Sequence, residues 1–229
     1  MICLICARSG SKGIKNKNIT KIKKKNLLQI TIELAKKVKE IDKIILSTDS
    51  KKIANMGKKY GAYVPFLRPK KLSKDNSSEW SVWQHAIDFC QKNYHFEDVI
   101  ILPVVSPLRK LIDINKSIKL YKKNRNKCVI TVTNSSRNPY FNMVTLDKNK
   151  NAKLVIDKKK NFFRRQDAPK VYDICTVSYI LNKKLINKHK SLFDCKLVAE
   201  IIPKYRSLDI DDKFDLEIAR SLYGKKIKF

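Results

Sequence analysis

The sequence predicts an α/β protein: an open, twisted, mostly parallel sheet flanked by helices, built as one domain over residues 1–229. Three observations carry that expectation. Short apolar runs alternate with segments of helical period up to about Ser135, the rhythm of strand–helix–strand units. A length of 229 residues suits one substantial core. A hydrophobic fraction of 43% argues against wholesale disorder.

The elements follow in order. Ile2 to Cys6 is a short apolar strand. Gln29 to Glu40 places Ile32, Ala35 and Val38 on one face of a helix whose outer face is lysine-rich. Lys43 to Ser47 is a second strand, after which Asp49 or Ser50 caps a helix to about Tyr60. Gly61 ends that helix and Ala62 to Phe66 is expected as a third strand. Ser78 to Asn93 reads as a helix, Val99 to Leu102 as a strand, Asp113 to Lys123 as a helix and Cys128 to Thr133 as a strand. The rhythm then breaks. Asn134 to Asp167 is rich in Asn and Lys, with short strands expected at Phe141 to Leu146 and Lys153 to Ile156. A hairpin of that size is marginal alone, so this protruding arm needs a partner surface. Tyr172 to Leu181 returns to the core, and Asp212 to Leu222 is a last helix with acidic residues at its start.

The net charge is +30, with 42 Lys against nine Arg. The lysines are spread over every segment and aromatic residues are not arrayed among them as a stacking platform. This describes a solvated surface better than a nucleic-acid footprint, although a basic nucleic-acid-binding protein stays a remote alternative. Salt-sensitive, sequence-independent association is the most such a surface implies. No apolar run approaches the roughly 18 residues of a spanning helix, and the N-terminus enters a strand without a leader pattern. A cytoplasmic protein is therefore expected, with no membrane partner. Cys3 and Cys6 have CxxC spacing, but residues three apart on a strand face opposite sides, so they do not chelate one metal. Cys90, Cys128, Cys175 and Cys195 are isolated, as reduced core thiols are.

Chemistry is suggested at the two ends of the chain. After the first strand comes a basic, small-residue loop, Ala7 to Asn18. Arg8, Lys12 and Lys17 bring positive charge, while Ser9, Gly10, Ser11 and Gly13 let backbone N–H groups approach an anion. The loop is neither a Walker A sequence nor GxGxxG. Near the other end, Leu208-Asp-Ile-Asp alternates apolar and acidic residues. If extended, it turns Asp209 and Asp211 to the same side. A polyanion cradle beside a hard-cation site is what chemistry on a nucleoside triphosphate requires.

Several collinear segments resemble the acylneuraminate cytidylyltransferases, the CMP-sialic acid synthetase group. They are Ala7-Arg-Ser-Gly-Ser-Lys-Gly-Ile with Lys17-Asn18, Ser47-Thr-Asp-Ser, Val64-Pro-Phe-Leu-Arg-Pro, Ser106-Pro-Leu-Arg, Arg164-Arg-Gln-Asp-Ala-Pro-Lys and Asp209-Ile-Asp-Asp-Lys-Phe-Asp-Leu. The resemblance runs from Ile2 to about Leu222. It implies a nucleotide-diphospho-sugar-transferase-like, Rossmann-like fold. It also implies transfer of CMP from CTP to a 2-keto sugar acid, with release of pyrophosphate. Arg8, Ser11, Lys12, Lys17 and Asn18 match positions that hold the CTP phosphates and ribose, with Arg8 and Lys12 offsetting charge on the leaving pyrophosphate. Arg68, Ser77 and Ser78 match the base-reading segment, where Glu79 stands in place of a frequent small hydroxyl residue. Asp209 and Asp211 match the pair that binds a divalent cation, Mg²⁺, and Asp211 joins Arg8 and Lys12 as catalytic.

The resemblance also assigns Arg165 and Gln166 to the sugar acid, with Arg165 the natural carboxylate clamp. Tyr172 and Phe193 would line the sugar pocket, and Arg109 is either structural or substrate-facing. The arm, 136–163, resembles a dimerisation segment and implies a homodimer. Pro103, where many sialate-activating members have glutamine, and Cys175-Thr-Val-Ser-Tyr, where many have Asn-Gly-Ala-Ile-Tyr, leave the acceptor open among nonulosonic acids and ketodeoxyoctonate. A related nucleotidyltransferase acting on another sugar is the nearer alternative.

Overall fold

The computed structural model describes residues 1–10, 13–156, 162 and 164–225, with the Arg165 side chain left aside. Its order of elements is β1 (Ile2–Cys6), β2 (Lys21–Ile22), β3 (Lys25–Asn26), α1 (Leu27–Ala35), β4 (Lys43–Ser47), α2 (Lys51–Tyr60), α3 (Glu79–Gln91), β5 (Asp98–Ile101), α4 (Leu111–Lys122) and β6 (Cys128–Asn134). Then come β7 (Val144–Leu146), β8 (Ala152–Leu154), β9 (Tyr172–Asn182), α5 (Lys183–Lys188), β10 (Leu197–Ile201) and α6 (Lys213–Leu222).

Six strands form one sheet in the order β10-β6-β9-β5-β1-β4. β1 is parallel to β4 and β5, and β10 is parallel to β6, while β9 runs antiparallel between β5 and β6. The mostly parallel sheet is as expected. β1 shows why its residues suit a central position. Cys3 and Ile5 enter one core with Leu28 and Ile32 of α1, Ile53 of α2, Ile118 of α4 and Leu216 of α6. Ile2 and Leu4 enter the other, with Trp83 and Ile87 of α3 and Ile186 of α5. Alternation along one apolar strand therefore feeds two helical layers. The same alternation puts Cys3 and Cys6 on opposite faces, and all six cysteines are free thiols.

Helix starts follow local side chains. The Asn26 side chain accepts from the Gln29 amide at 2.8 Å, which starts α1 earlier than its apolar period alone predicts. Of the two candidate caps for α2, Ser50 takes the role, accepting from the Ile53 amide, and Gly61 ends the helix at φ 95°. Asp212 caps α6 and exchanges bonds with Asp215, a reciprocal box.

Three expectations change. Ala62 to Phe66 is not a strand. It makes one bridge to β4 through Tyr63, and Pro65 supplies no amide to extend it. β10 and α5 are elements the pattern did not indicate. In the arm, β7 and β8 pair as an antiparallel hairpin shorter than expected, turned by Asp147, whose carboxylate accepts from the Asn149 and Asn151 amides. Met143, Val144, Leu146, Leu154 and Val155 are exposed on it. No helix among the described residues is long and apolar enough to cross a membrane.

Candidate active site

The first two parallel connections place β4 on one side of β1 and β5 on the other. That reversal opens a crevice at the carboxyl ends of the strands, where ligands of open α/β sheets bind. A cavity of about 470 Å³ lies there, lined among others by Arg8, Lys17, Arg68, Glu79, Asp209 and Asp211. Gly13, Asn18, Ser77, Lys74, Asp75 and Thr176 complete its polar wall.

The basic loop leaves β1 into this crevice. The Ala7 amide donates to the Ser47 carbonyl at 3.0 Å, extending the β1–β4 ladder by one bond. The Ser9 amide and hydroxyl donate to Asp49 at 2.8 and 2.7 Å. Burial works against the Asp49 anion, yet these two bonds hold its carboxyl below the ordinary range. Asn18, itself buried, donates from Nδ2 to the Arg8 carbonyl at 2.9 Å and so fixes the loop's return. The Arg8 guanidinium reaches Asp75 at 2.8 Å across the cavity mouth. Ser11 and Lys12 lie outside the described residues.

Arg68 is buried at the head of the cavity, donating from Nη2 to the Ser47 carbonyl at 2.8 Å, while its Nε has no hydrogen-bond partner among the described residues. Ser77 lines the same cavity with its hydroxyl turned to the Lys71 carbonyl, 3.1 Å away. Ser78 precedes α3 without a side-chain cap bond and faces an adjoining cavity instead.

The acidic pair arrives from the far end of the chain. The Ile210 amide donates to the Val105 carbonyl at 3.1 Å and the Ile210 side chain is fully buried, so Asp209 and Asp211 turn together into the cavity. Burial pushes the Asp209 carboxyl above the ordinary carboxylate range. The neighbouring Asp211 adds to this, and the Thr176 hydroxyl, Lys17 and Arg109 offset only part of it. Its Oδ1 is buried and without a hydrogen-bond partner among the described residues. An orphaned carboxylate oxygen beside a second carboxylate, both opening on a cavity, is a hard-oxygen donor set that fits Mg²⁺. Among the described residues no group of three or more His, Cys, Asp or Glu is placed to hold a metal ion, so such an ion would take its other ligands from substrate and water.

The two ends meet directly. Lys17 Nζ donates to the Ile210 carbonyl at 2.7 Å and to Asp211 Oδ1 at 3.0 Å. Gly13 passes so close that an added Cβ would stand 2.3 Å from the Asp211 carbonyl oxygen.

The residues assigned to the sugar acid are not all here. Phe193 lines the adjoining cavity of about 290 Å³, which shares Glu79 and Trp83 with the first. Gln166 lies apart, on a third cavity of about 490 Å³ with Arg137 and Lys170 at the base of the arm. Tyr172 is exposed at the start of β9 and lines none of these three. The side chain of Arg165 falls outside what is described. Arg109 is structural. Buried, it donates to the Val177 carbonyl at 2.8 Å, to Thr31 Oγ1 at 3.0 Å and to the Pro103 carbonyl. Lys74, Asp75 and Thr176 were not singled out from the sequence, and no spacing pattern marks them.

Known proteins resemble this chain over nearly its whole length. The family model described as Cytidylyltransferase matches residues 2–225. A CMP-N,N'-diacetyllegionaminic acid synthase of Campylobacter jejuni is 36% identical over 228 residues, 99% of this chain and 96% of that protein. An N-acylneuraminate cytidylyltransferase of Escherichia coli is 32% identical over 99% of this chain but 52% of its own length. A solved CMP:2-keto-3-deoxy-manno-octonic acid synthetase complexed with CTP has a TM-score of 0.72 at 14% identity, covering 96% of this chain and 97% of that one. At that identity the likeness speaks for the fold.

Proposed function

The chain belongs to the cytidylyltransferase family, and from that premise we propose that it transfers CMP from CTP to the anomeric hydroxyl of a nonulosonic acid, releasing pyrophosphate, for surface glycan synthesis. The observation that carries the reading is the meeting of Lys17 with Asp211 in a cavity lined by Arg8 and Asp209. Cations for a triphosphate and oxygens for a metal ion share one space.

In this reading Arg8 and Lys17, with Ser11 and Lys12 of the same loop, hold the phosphates and offset the charge that grows on the leaving pyrophosphate. Arg8 exchanges Asp75 for a phosphate oxygen. That is a small loss, because an exposed ion pair contributes about 0–1 kcal/mol. Asn18 keeps the loop in the shape that brings its amides to the ribose and phosphates. Arg68 and Ser77 face the cytosine, with Ser78 beside them. Asp209 and Asp211 would hold Mg²⁺, which when bound neutralises phosphate charge and makes the α-phosphorus a better electrophile. The sugar acid occupies the adjoining space walled by Phe193, and Arg165, Gln166 and Tyr172 reach it across a homodimer formed through the arm at 136–163. The exposed apolar residues of β7 and β8 support that assembly, since an uncovered hairpin of this kind is marginal alone. The enzyme works in the cytoplasm, where CTP is available.

The direct test follows pyrophosphate release with each of the four nucleoside triphosphates and a panel of nonulosonic acids and ketodeoxyoctonate, with Mg²⁺ present. Turnover with CTP and a nonulosonic acid is expected. Turnover only with other triphosphates or other sugars would defeat the proposal. Light scattering at micromolar concentration tests the dimer.

A further inference from the structure

Glu79 is the first residue of α3, where an acid is ordinarily a solvated partner of the helix dipole and is stabilised as the anion. Its surroundings here are different. It lines both the triphosphate cavity and the adjoining cavity, standing where the two join, and among the described residues it makes no hydrogen bond or ion pair. Water reaches its side chain through the open cavities. Even so, crowding by the surrounding protein, and then the charge of Asp209, hold its carboxyl above the usual range. An acid serving only the helix start would be expected to move the other way.

Its position is fixed by neighbours on the first two turns of α3. Trp80 is buried and donates from Nε1 to the His189 carbonyl at 2.9 Å, and Gln84 donates to the Ile186 carbonyl at 2.9 Å. These bonds clamp the first turns of α3 to α5 and the segment after it. Beyond Glu79 the adjoining cavity is walled by Trp83, Ile174, Tyr179, Leu192 and Phe193. In that mostly apolar compartment a carboxylate is the strongest hydrogen-bond acceptor a polar ligand would meet.

We propose that Glu79 is a specificity-determining residue for the acceptor: its carboxylate takes a hydrogen bond from an O–H or acylamino N–H of the sugar acid as that molecule spans the two cavities. This rests on reading the cavities as the CTP and sugar-acid sites. The carboxylate also disfavours acceptors that carry a second negative group at that point. A site built around an acceptor oxygen rejects analogues lacking the donor, because the carboxylate, shut off from water once the sugar acid is bound, is then left unpaired.

The experiment measures kcat and KM for CTP and for each acceptor, with Glu79→Gln and Glu79→Leu. Leu should lower kcat/KM for the preferred acceptor about 10- to 100-fold, while Gln, which keeps a carbonyl acceptor, loses about tenfold or less. KM for CTP should stay within about twofold, and the ranking of acceptors should compress in the Leu variant. An equal rise in KM for CTP would overturn the proposal in favour of a base contact. Unchanged kinetics in both variants would overturn it in favour of a plain helix-start acid. Thermal melting of both variants separates lost contacts from lost folding, and the Gln variant carries the test if Leu unfolds. A wild-type protein inert toward every acceptor with CTP would instead sink the proposed reaction, an outcome distinct from a failure at Glu79.

Discussion

Lys17 and Asp211, 194 positions apart in sequence, meet at 3.0 Å, and the same lysine bonds the Ile210 carbonyl at 2.7 Å. Asp211 is 77% exposed, so solvent screens the ion pair and its worth to stability is about 0–1 kcal/mol. Its value lies in register: the lysine sets where the acidic segment stands relative to the phosphate loop. Lys17→Met should therefore leave the melting temperature within a few degrees, about 2–4 °C for each kcal/mol lost. Pyrophosphate release should drop by about 100-fold or more, as expected when a preorganised charge is removed from a phosphoryl-transfer site. A large loss of stability with activity per folded molecule retained would show the contact to be merely structural.

Gly13 tests the same meeting from the loop side. A Cβ there would stand 2.3 Å from the Asp211 carbonyl oxygen, well inside van der Waals contact, and that neighbour is backbone. Gly13→Ala must displace either the loop or the acidic segment. A misplacement of about 1 Å costs roughly 100-fold in rate where geometry is preorganised. Gly10 is the control, because a Cβ there meets nothing within 4 Å and Gly10→Ala should leave the free protein's melting unchanged. Steady-state kinetics and melting curves of both variants decide the matter. Full activity in Gly13→Ala would mean the close approach has no functional weight.

The alternation Asp209-Ile210-Asp211 could be read from sequence because one buried side chain between two acids has a single extended solution when Ile210 is fully buried. β1, β4, β5 and β6 were equally visible, since strands covered on both faces are continuous apolar runs. β10 was not. As the sheet's edge strand it is only partly buried, and Leu197 to Ile201 carries a glutamate within it. The antiparallel entry of β9 between β5 and β6 is a pairing between distant residues that no local pattern encodes. Arg109 read as either structural or substrate-facing, a choice that its motif could not make and that its three buried bonds decide for structure. Glu79 followed a serine at a helix start, so its place between two cavities depended on tertiary packing.

The approach of the acidic segment to the cavity is anchored by Arg206, which bonds Asp113 at 2.8 and 3.0 Å. Asp113 is only 1% exposed and also accepts from the Lys110 amide at the start of α4. Removing one partner of a buried pair leaves an uncompensated charge and costs about 3–5 kcal/mol. Arg206→Met should lower stability by that order in chemical denaturation, and Asp113→Leu combined with Arg206→Met should recover much of it. If the single variant is as stable as the wild type, the anchor is not fixed by this pair.

Asp209 opposes stability to activity. Burial raises its carboxyl above the ordinary value of 3.8, so between that value and the raised one the folded protein binds more protons than the unfolded chain. Stability must then fall as pH rises through that window, and the penalty persists at neutral pH until a cation offsets it. Asp209→Asn removes the charge while keeping the shape. Without divalent cation the variant should melt a few degrees higher than wild type near neutral pH, about 2–4 °C for each kcal/mol relieved, and its melting should depend less on pH. Mg²⁺ should raise the melting temperature of the wild type and leave that of the variant nearly unchanged. Turnover should be lost. A variant that melts lower at every pH, or gains as much from Mg²⁺ as the wild type, would show that Asp209 is held for structure and that the cation is bound elsewhere.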